Sequence, residues 1–168
     1  MAYVISRNLA GGQPISAVST TAKHQVGSTA EAVDTTFGNG TFLYAKASIA
    51  LLAGDVAFVK YATNFATKIT DALAKTSLGL PAVVVTALAA DEYGWLMRQG
   101  STLVRCKPGV ESSVALYVNA SAGTLGGTTL SNMIGNIVAV TSVTTTVGAI
   151  TCHLTFPFIS RAEGLMGQ

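Results

Sequence analysis

The chain has 168 residues and a mass of 17.2 kDa, which is the size of one globular domain. Hydrophobic residues make up 49% of it and charged residues only 11%, so Thr, Ser, Asn, Gly and Ala, or other protein, must cover its surface. Its formal charge is +2, and the ten Lys and Arg residues are scattered singly, which argues against nucleic-acid binding because that needs a basic stripe.

The longest apolar runs are too short for a membrane span, which needs about 20 residues. The start of the chain, MAYVISRNLAGGQP, lacks the basic residues and the unbroken apolar block of a secretory signal, so we expect the mature protein to begin near Met1. Cys106 and Cys152 lack the paired spacing of a zinc site. We expect free thiols in a reducing cytoplasm, with one disulfide bond as the alternative if their strands are neighbours.

Residues 1–40 differ from the rest of the chain because Gly, Ser and Thr are frequent and hydrophobic periodicity is weak. This composition predicts an extended N-terminal arm with at most short strands. Such a segment buries too little apolar surface to offset its ordering entropy, so we expect it to be mobile in isolation and ordered against a neighbour. Tyr3, Ile5 and Arg7 are the arm residues expected to contact that neighbour.

From Thr41 onward, short β-rich segments alternate with turn residues, which predicts an all-β core domain over 41–160 and a C-terminal tail over 161–168. The predicted strands are TFLYAKASIAL (41–51), VAFVKYA (56–62), PAVVVTAL (81–88), YGWLMRQ (93–99), STLVRCK (101–107), VALYVNA (114–120), IVAVTSVT (137–144) and AITCHLTFPF (149–158). Over 63–79 a helix competes with a strand and loop, because apolar residues recur every four positions but Thr is frequent.

The residue types of an active site are present but poorly arranged. Cys152 and His153 are adjacent, yet alternation along a strand directs the thiol and the imidazole to opposite faces. One face would carry Ile150, Cys152, Leu154 and Phe156, and the other Thr151, His153 and Thr155. His24 has no Cys or Asp at a mechanistic spacing, and Asp91 with Glu92 is interpreted as a turn cap and a solvated acid. We therefore expect no catalytic residue, metal or cofactor.

The stretch YGWLMRQ combines an apolar stripe with a glycine inside a strand. Tyr93, Trp95 and Met97 share one face, which is typical of a core strand. Gly94 weakens a strand interior and often marks the close approach of another backbone. A core strand is therefore the favoured interpretation of this stretch, and an intermolecular contact that involves Gly94, Trp95 and Arg98 is the alternative that Gly94 suggests.

Three stretches, taken in order, resemble small head decoration proteins, also called cement proteins, of tailed bacteriophages. They are GLPAVVVTALAADEYGWLMRQG (79–100), ESSVALYVNASAGTLGG (111–127) and LTFPFIS (154–160). In that family a G-x-P/V-A-V-A strand, a YGW strand ending in glycine, an LY-A hairpin and a terminal FP strand recur in this order. The resemblance covers roughly 40–160 and leaves the N-terminal arm without a counterpart.

The resemblance implies a small β-barrel, β-tulip or jelly-roll-like core bound to the capsid surface of a virion. Such a protein is made in the cytoplasm of the host bacterium and stabilises the shell at junctions between major capsid subunits. The implied partners are the major capsid protein and further copies of the chain, as a dimer or trimer, with no nucleic acid, membrane, cofactor or catalytic residue. Low charge, flat β surfaces and an extensible arm suit this role, because symmetry multiplies weak contacts.

Two other classes stay open. Tail-tube and head-completion proteins also build rings from β-rich subunits with arms. A carbohydrate- or receptor-binding module of a fibre would need exposed aromatic residues beside polar ones, and DEYGWLMRQ (91–99) is the place that offers them. An enzyme is the class that the sequence favours least, because active sites need converging polar groups.

Overall fold

The computed structural model describes residues 3–5, 14–119, 121–127, 132–144 and 146–161. In chain order the elements are β1 (Tyr3–Ile5), β2 (Thr29–Asp34), β3 (Gly38–Ala47), β4 (Val56–Lys60), β5 (Phe65–Lys68), α1 (Asp71–Thr76), β6 (Gly79–Val84), β7 (Tyr93–Cys106), β8 (Ala115–Val118), β9 (Leu125–Gly126), β10 (Asn132–Ala139) and β11 (Gly148–Arg161). The predicted all-β fold is therefore confirmed. Within these ranges no helix is long and apolar enough to cross a membrane.

The strands form one sheet that closes on itself twice. Their order is β1-β2-β3-β5-β4-β6-β7-β11-β10-β8-β9, and β7 pairs in addition with β3 and β9. These pairings make one ring of β3, β5, β4, β6 and β7 and a second ring of β7, β11, β10, β8 and β9. The first half of β7 pairs with β3 and β6, and its second half pairs with β11 and β9. Two small barrel-like rings are thus joined along one shared strand.

Alternation along the strands of the first ring separates two cores. In β3, Leu43 and Ala45 belong to a cluster inside the first ring, whereas Phe42 and Tyr44 face a larger cluster shared with the second ring. All five strands of the first ring contribute to the inner cluster, which consists of Leu43, Ala45, Ala47, Leu51, Ala57, Val59, Ala66, Ala82, Val84, Leu88 and Leu96. Small side chains predominate there because a narrow ring has little space to fill.

Two predicted strands, over 93–99 and 101–107, form the single strand β7 of 14 residues. Gly100 joins the two halves with a φ of +111°, a conformation that glycine adopts without a steric penalty. A Cβ atom at this position would also lie 2.5 Å from the carbonyl oxygen of Asn39 in β3. Glycine is therefore required by both the backbone conformation and the close approach of β3.

Both alternatives for residues 63–79 occur, one after the other. β5 forms first, and α1 follows after Ile69 and Thr70. The hydroxyl of Thr70 accepts a hydrogen bond of 3.2 Å from the backbone N–H of Leu73 and so caps the helix. Ile69 and Ala74 are fully buried, which fixes this segment against the larger core.

The expectation that Phe156 shares a buried face with Cys152 is wrong. Phe156 has a φ of +51°, and beyond it the alternation reverses, because Pro157 is buried whereas Phe156 and Phe158 are 48% and 49% exposed. In the neighbouring strand β10, Asn136 has a φ of +61° at the point where the register shifts. An irregularity in both strands thus turns the end of β11 away from the regular pleat.

Part of the range predicted as an arm belongs to the sheet. β2 pairs with β3 along its full length, β1 pairs with β2, and Ile15 is buried in the larger core. The division of the chain at residue 40 and the ordering of the arm on a neighbour stay predictions. Of the predicted tail, Arg161 ends β11 and 162–168 lie outside the described residues.

Candidate interaction surface

Trp95 lies in the core, not on the surface where a contact residue would lie. Its side chain is 3% exposed, and its ring centroid lies 5.0 Å from that of Tyr44 and 5.1 Å from that of His24. Tyr44 also stacks on Tyr93 at 6.2 Å, and its hydroxyl accepts a hydrogen bond of 3.1 Å from the backbone N–H of Lys23. The segment that contains His24 therefore covers the aromatic cluster, and Trp95 is not accessible to a carbohydrate or a protein partner.

Gly94 is also buried, and its neighbour differs from the one expected. A Cβ atom at Gly94 would lie 2.6 Å from Cδ2 of Leu88, a residue of the cluster inside the first ring, so a side chain fills the space next to this glycine. For the arm residues, β1 places Tyr3 opposite Asp34 and Ile5 opposite Ala32. Arg7 lies outside the described residues, and the contact roles of these three arm residues stay predictions.

Arg98 is the predicted contact residue that lies beside exposed apolar side chains. Its guanidinium carbon is 5.9 Å from the ring centroid of Phe156, and its Nη2 donates a hydrogen bond of 3.3 Å to the carbonyl oxygen of Pro157. Burial lowers the pKa of Arg98 from its usual value, and Tyr61 partly opposes this effect. The group still carries its charge at neutral pH, because an arginine titrates far above it.

We call the residues Tyr61, Leu78, Arg98, Phe156 and Phe158 the Arg98 surface. Leu78 is 73% exposed and Tyr61 is 58% exposed, whereas the two phenylalanines are half exposed. A groove of about 220 Å³ is lined by Tyr61, Ser77, Leu78, Gly79, Phe158 and Ile159. Clustered large apolar side chains on a soluble protein commonly mark a surface that binds another molecule.

Sequence reasoning identified Arg98 but missed the apolar residues around it. Leu78 and Tyr61 are far from Phe158 along the chain, and only the path of β11 past the start of β6 brings them into one groove. One local signal was present, because the two phenylalanines of FPF are two residues apart and flank a proline, which cannot donate to a neighbouring strand. That pattern is typical of an edge strand with exposed side chains.

A second concavity is polar and open. It has a volume of about 400 Å³ and is lined by Glu31, Ala32, Asn39, Gly40, Thr41, Gln99, Gly100 and His153. Thr41 Oγ1 donates a hydrogen bond of 3.2 Å to Gln99 Oε1, and His153 Nδ1 lies 3.2 Å from Ser101 Oγ. Carboxylate, amide, hydroxyl and imidazole groups therefore line one depression where β2, β3, β7 and β11 meet.

The two cysteines are buried free thiols. Their strands are neighbours, but Cys152 pairs with Thr102 and Cys106 pairs with Gly148, so the two cysteines are offset along the strands. Contact with Cys106, together with burial, raises the pKa of the Cys152 thiol. Cys152 is therefore a protonated core residue, as expected, and the exposed His153 points away from it.

No protein-family model matches the chain, and no curated protein sequence is significantly similar to it. Within the described part of the chain, no group of three His, Cys, Asp or Glu side chains is placed to hold a metal ion. Two features of the described residues are suited to binding another molecule. They are the Arg98 surface and the open polar depression, which we call the polar pocket, lined by Glu31, Ala32, Asn39, Gly40, Thr41, Gln99, Gly100 and His153.

Proposed function

We propose that the protein is a non-enzymatic structural component of a bacteriophage particle. It binds the outside of the capsid at junctions between major capsid subunits and stabilises the shell. The Arg98 surface carries this proposal, because it combines four exposed large apolar side chains with a half-buried cation on a folded β domain. Such a surface is suited to a protein partner rather than to a small molecule.

The low charge of the chain supports the same role. With 11% charged residues, the domain presents mainly small polar and apolar side chains, which pack against another protein with little desolvation cost. A single surface of this size binds weakly, but a shell repeats the contact many times, and copies that form a dimer or trimer bind through several sites at once.

The resemblance to decoration proteins supports the proposal from a separate direction. Its three stretches supply β6 and the first half of β7, then β8 and β9, and finally the end of β11. The FP motif of the last stretch contributes Phe156 and Phe158 to the Arg98 surface. The proposed partners are accordingly the major capsid protein and further copies of the chain, and the proposed location is the capsid surface of the virion.

Shell stabilisation is tested with particles that lack this protein. Particles assembled with and without the gene are heated, and the temperature at which DNA becomes accessible to a dye is recorded. We expect release at a lower temperature without the protein and recovery when purified protein is added back. Equal release temperatures would refute the stabilising role.

A second candidate is a carbohydrate- or receptor-binding module, and the polar pocket is the observation that favours it. Amide, hydroxyl and imidazole groups from Asn39, Thr41, Gln99 and His153 suit the hydroxyls of a sugar. Trp95 cannot report such binding because it is buried. Titration of the full ¹⁵N-labelled chain with oligosaccharides of the host surface, followed by the amide NMR signals of Asn39, Thr41 and Gln99, tests this candidate. Saturable shifts at these residues that His153→Ala abolishes would support it, and no shifts would refute it.

A further inference from the structure

Among the described residues, the end of β11 is paired along one edge only. β11 pairs with β7 only as far as Thr155, opposite Gln99, whereas its pairing with β10 continues to Arg161. From Phe156 onward the described residues therefore give this strand one neighbour. Half of the N–H and C=O groups of an edge strand point away from its one neighbour and are available to an added strand. Pro157 is an exception, because it has no N–H and its carbonyl oxygen accepts from Arg98, so an added strand would pair with the residues that follow it.

The groove beside this edge is suited to an apolar side chain of a bound segment. Leu78, Phe158 and Ile159 supply its aliphatic and aromatic surface, and Tyr61, Ser77 and Gly79 complete the lining. Its volume of about 220 Å³ is enough for one large side chain but not for a folded element. An extended segment that follows β11 would place one such side chain against Leu78 and Phe158.

The positive charge beside the groove favours a segment that also carries a carboxylate. Among the described residues, the Arg98 side chain has no acidic partner. Its one hydrogen bond is the one to the carbonyl oxygen of Pro157, and its buried Nε–H has none. Lys60, opposite Gly79 in β4, is exposed and adds a second cation beside the groove. A half-desolvated guanidinium with unused donors is satisfied best by a carboxylate.

We propose that the Arg98 surface binds an extended segment of a partner protein that carries a large apolar side chain and a carboxylate two residues apart. The segment lies along the free edge of β11, inserts the apolar side chain into the groove and presents the carboxylate to Arg98. The spacing follows from β11, where Pro157 lies beside Arg98 and Ile159, two residues later, lines the groove. In an extended segment, residues two apart are separated by about 7 Å and have side chains on the same face. The inference rests on the proposed function only in taking the partner to be a shell subunit.

The chemistry is tested with the full chain and synthetic peptides. The probes are Thr-Thr-Asp-Thr-Leu-Thr-Thr, its reversed sequence, and matched versions with Asn in place of Asp or Thr in place of Leu. Binding is followed by the amide NMR shifts of the ¹⁵N-labelled protein. We expect one of the two aspartate peptides, forward or reversed, to shift the amide signals of Leu78 and of Phe156–Arg161 saturably. The asparagine version of that peptide should bind about tenfold more weakly.

Two protein variants test which residue binds the carboxylate of the peptide and which binds its apolar side chain. Arg98→Gln should make the aspartate and asparagine peptides bind equally, while Leu78→Asp should weaken both. Val140→Asp is the matched control, since Val140 is also exposed but follows the last residue of β10, where its N–H bonds to the carbonyl oxygen of Thr151, away from the groove. Equal binding of the Asp and Asn peptides to the unmodified protein, shifts at other residues, or no shifts up to several millimolar peptide would overturn the proposal.

Self-association is a separate outcome. If the surface joined two copies of this chain, sedimentation would show an oligomer that Leu78→Asp dissociates and that Arg98→Gln leaves intact, and the acidic segment would be refuted.

Failure of the proposed binding surface and failure of the proposed capsid function give different results. Particles that carry Leu78→Asp protein at normal occupancy would refute the surface alone, whereas normal peptide binding by a protein absent from particles would refute only the capsid role.

Discussion

The carboxylate of Asp55 lies 2.9 Å from Nη1 of Arg105 and joins the two rings of the fold. Asp55 precedes β4 in the first ring, and Arg105 lies in the half of β7 that belongs to the second ring. The other carboxylate oxygen lies 3.3 Å from Nζ of Lys68 and accepts a hydrogen bond of 2.9 Å from the backbone N–H of Leu52. Asp55 is fully buried, so two cations and one amide replace the water that its charge has lost.

Replacing Asp55 by Asn should therefore destabilise the protein strongly. The substitution keeps the size and one acceptor but leaves Arg105 and Lys68 without their counter-ion, and we expect a loss of about 2–4 kcal/mol in the free energy of unfolding. Urea unfolding followed by circular dichroism measures it. Lys75→Gln is the control, because the Lys75–Asp71 pair lies on the surface of α1 and should contribute less than about 0.5 kcal/mol. Similar effects for both variants would contradict this role of Asp55.

Two glycines of β7 should differ in their tolerance of alanine. Gly100→Ala should cost about 2–4 kcal/mol in unfolding free energy, because a left-handed backbone and the carbonyl of Asn39 both oppose a Cβ atom. Gly94→Ala should cost about 1–3 kcal/mol, since only the side chain of Leu88 must move. Combining Gly94→Ala with Leu88→Val should recover part of the loss, and no comparable recovery is expected at Gly100. Thermal unfolding of the unmodified protein, Gly100→Ala, Gly94→Ala and the Gly94→Ala/Leu88→Val double variant measures these losses of stability.

The buried thiol predicts how stability changes at alkaline pH. The pKa of Cys152 is raised in the folded state, so the folded protein keeps a proton that the unfolded chain releases above about pH 8.5. The contribution of Cys152 to stability is therefore complete below that pH and decreases above it, by up to about 1.4 kcal/mol per pH unit. Urea unfolding between pH 7 and 10 should show this decrease, and Cys152→Ala should reduce the slope. In the folded protein neither thiol should react with Ellman's reagent at pH 8.

Trp95 should be shielded in the isolated protein. The segment around His24 covers its ring, and the same part of the chain is fixed by the buried Ile15. We expect weak iodide quenching of Trp95 fluorescence in the intact protein. Ile15→Ala should cost about 2–5 kcal/mol and increase the quenching. Strong quenching in the unmodified protein would show that this segment does not cover Trp95.

Hydrogen exchange of residues 14–28 tests the arm prediction itself. Exchange protection that is equal in the free protein and on a particle would contradict an arm that orders only on its neighbour. The burial of Ile15 and the contacts of His24 indicate that part of this range is protected without a partner.

Most strands could be predicted from the sequence because their alternation and β-branched residues are local signals. The opposite faces of Cys152 and His153 follow from the same rule. The closure of two rings through β7 could not be predicted, since it depends on pairings between residues far apart in the chain, such as Cys106 with Leu125. The reversal at Phe156 was missed because a left-handed phenylalanine has no sequence signature.

The candidate site was predictable only in part, for a similar reason. Arg98 was expected at a contact because of its position after YGW, whereas Leu78 had no visible role within an ambiguous helix or loop. The exposure of Leu78 follows from the turn between α1 and β6, and its neighbours Tyr61 and Phe158 come from two other strand ends. Tertiary packing, which local patterns do not record, assembles this surface.

The copy number of this protein on purified particles tests the capsid role most directly. Particles from the source lysate are banded on a density gradient, and the protein is quantified against the most abundant shell protein. Decoration predicts about one-third to one copy per shell subunit, because each symmetric junction is occupied. A handful of copies per particle would indicate a portal, tail or fibre component instead, and complete absence from the particles would contradict the structural role.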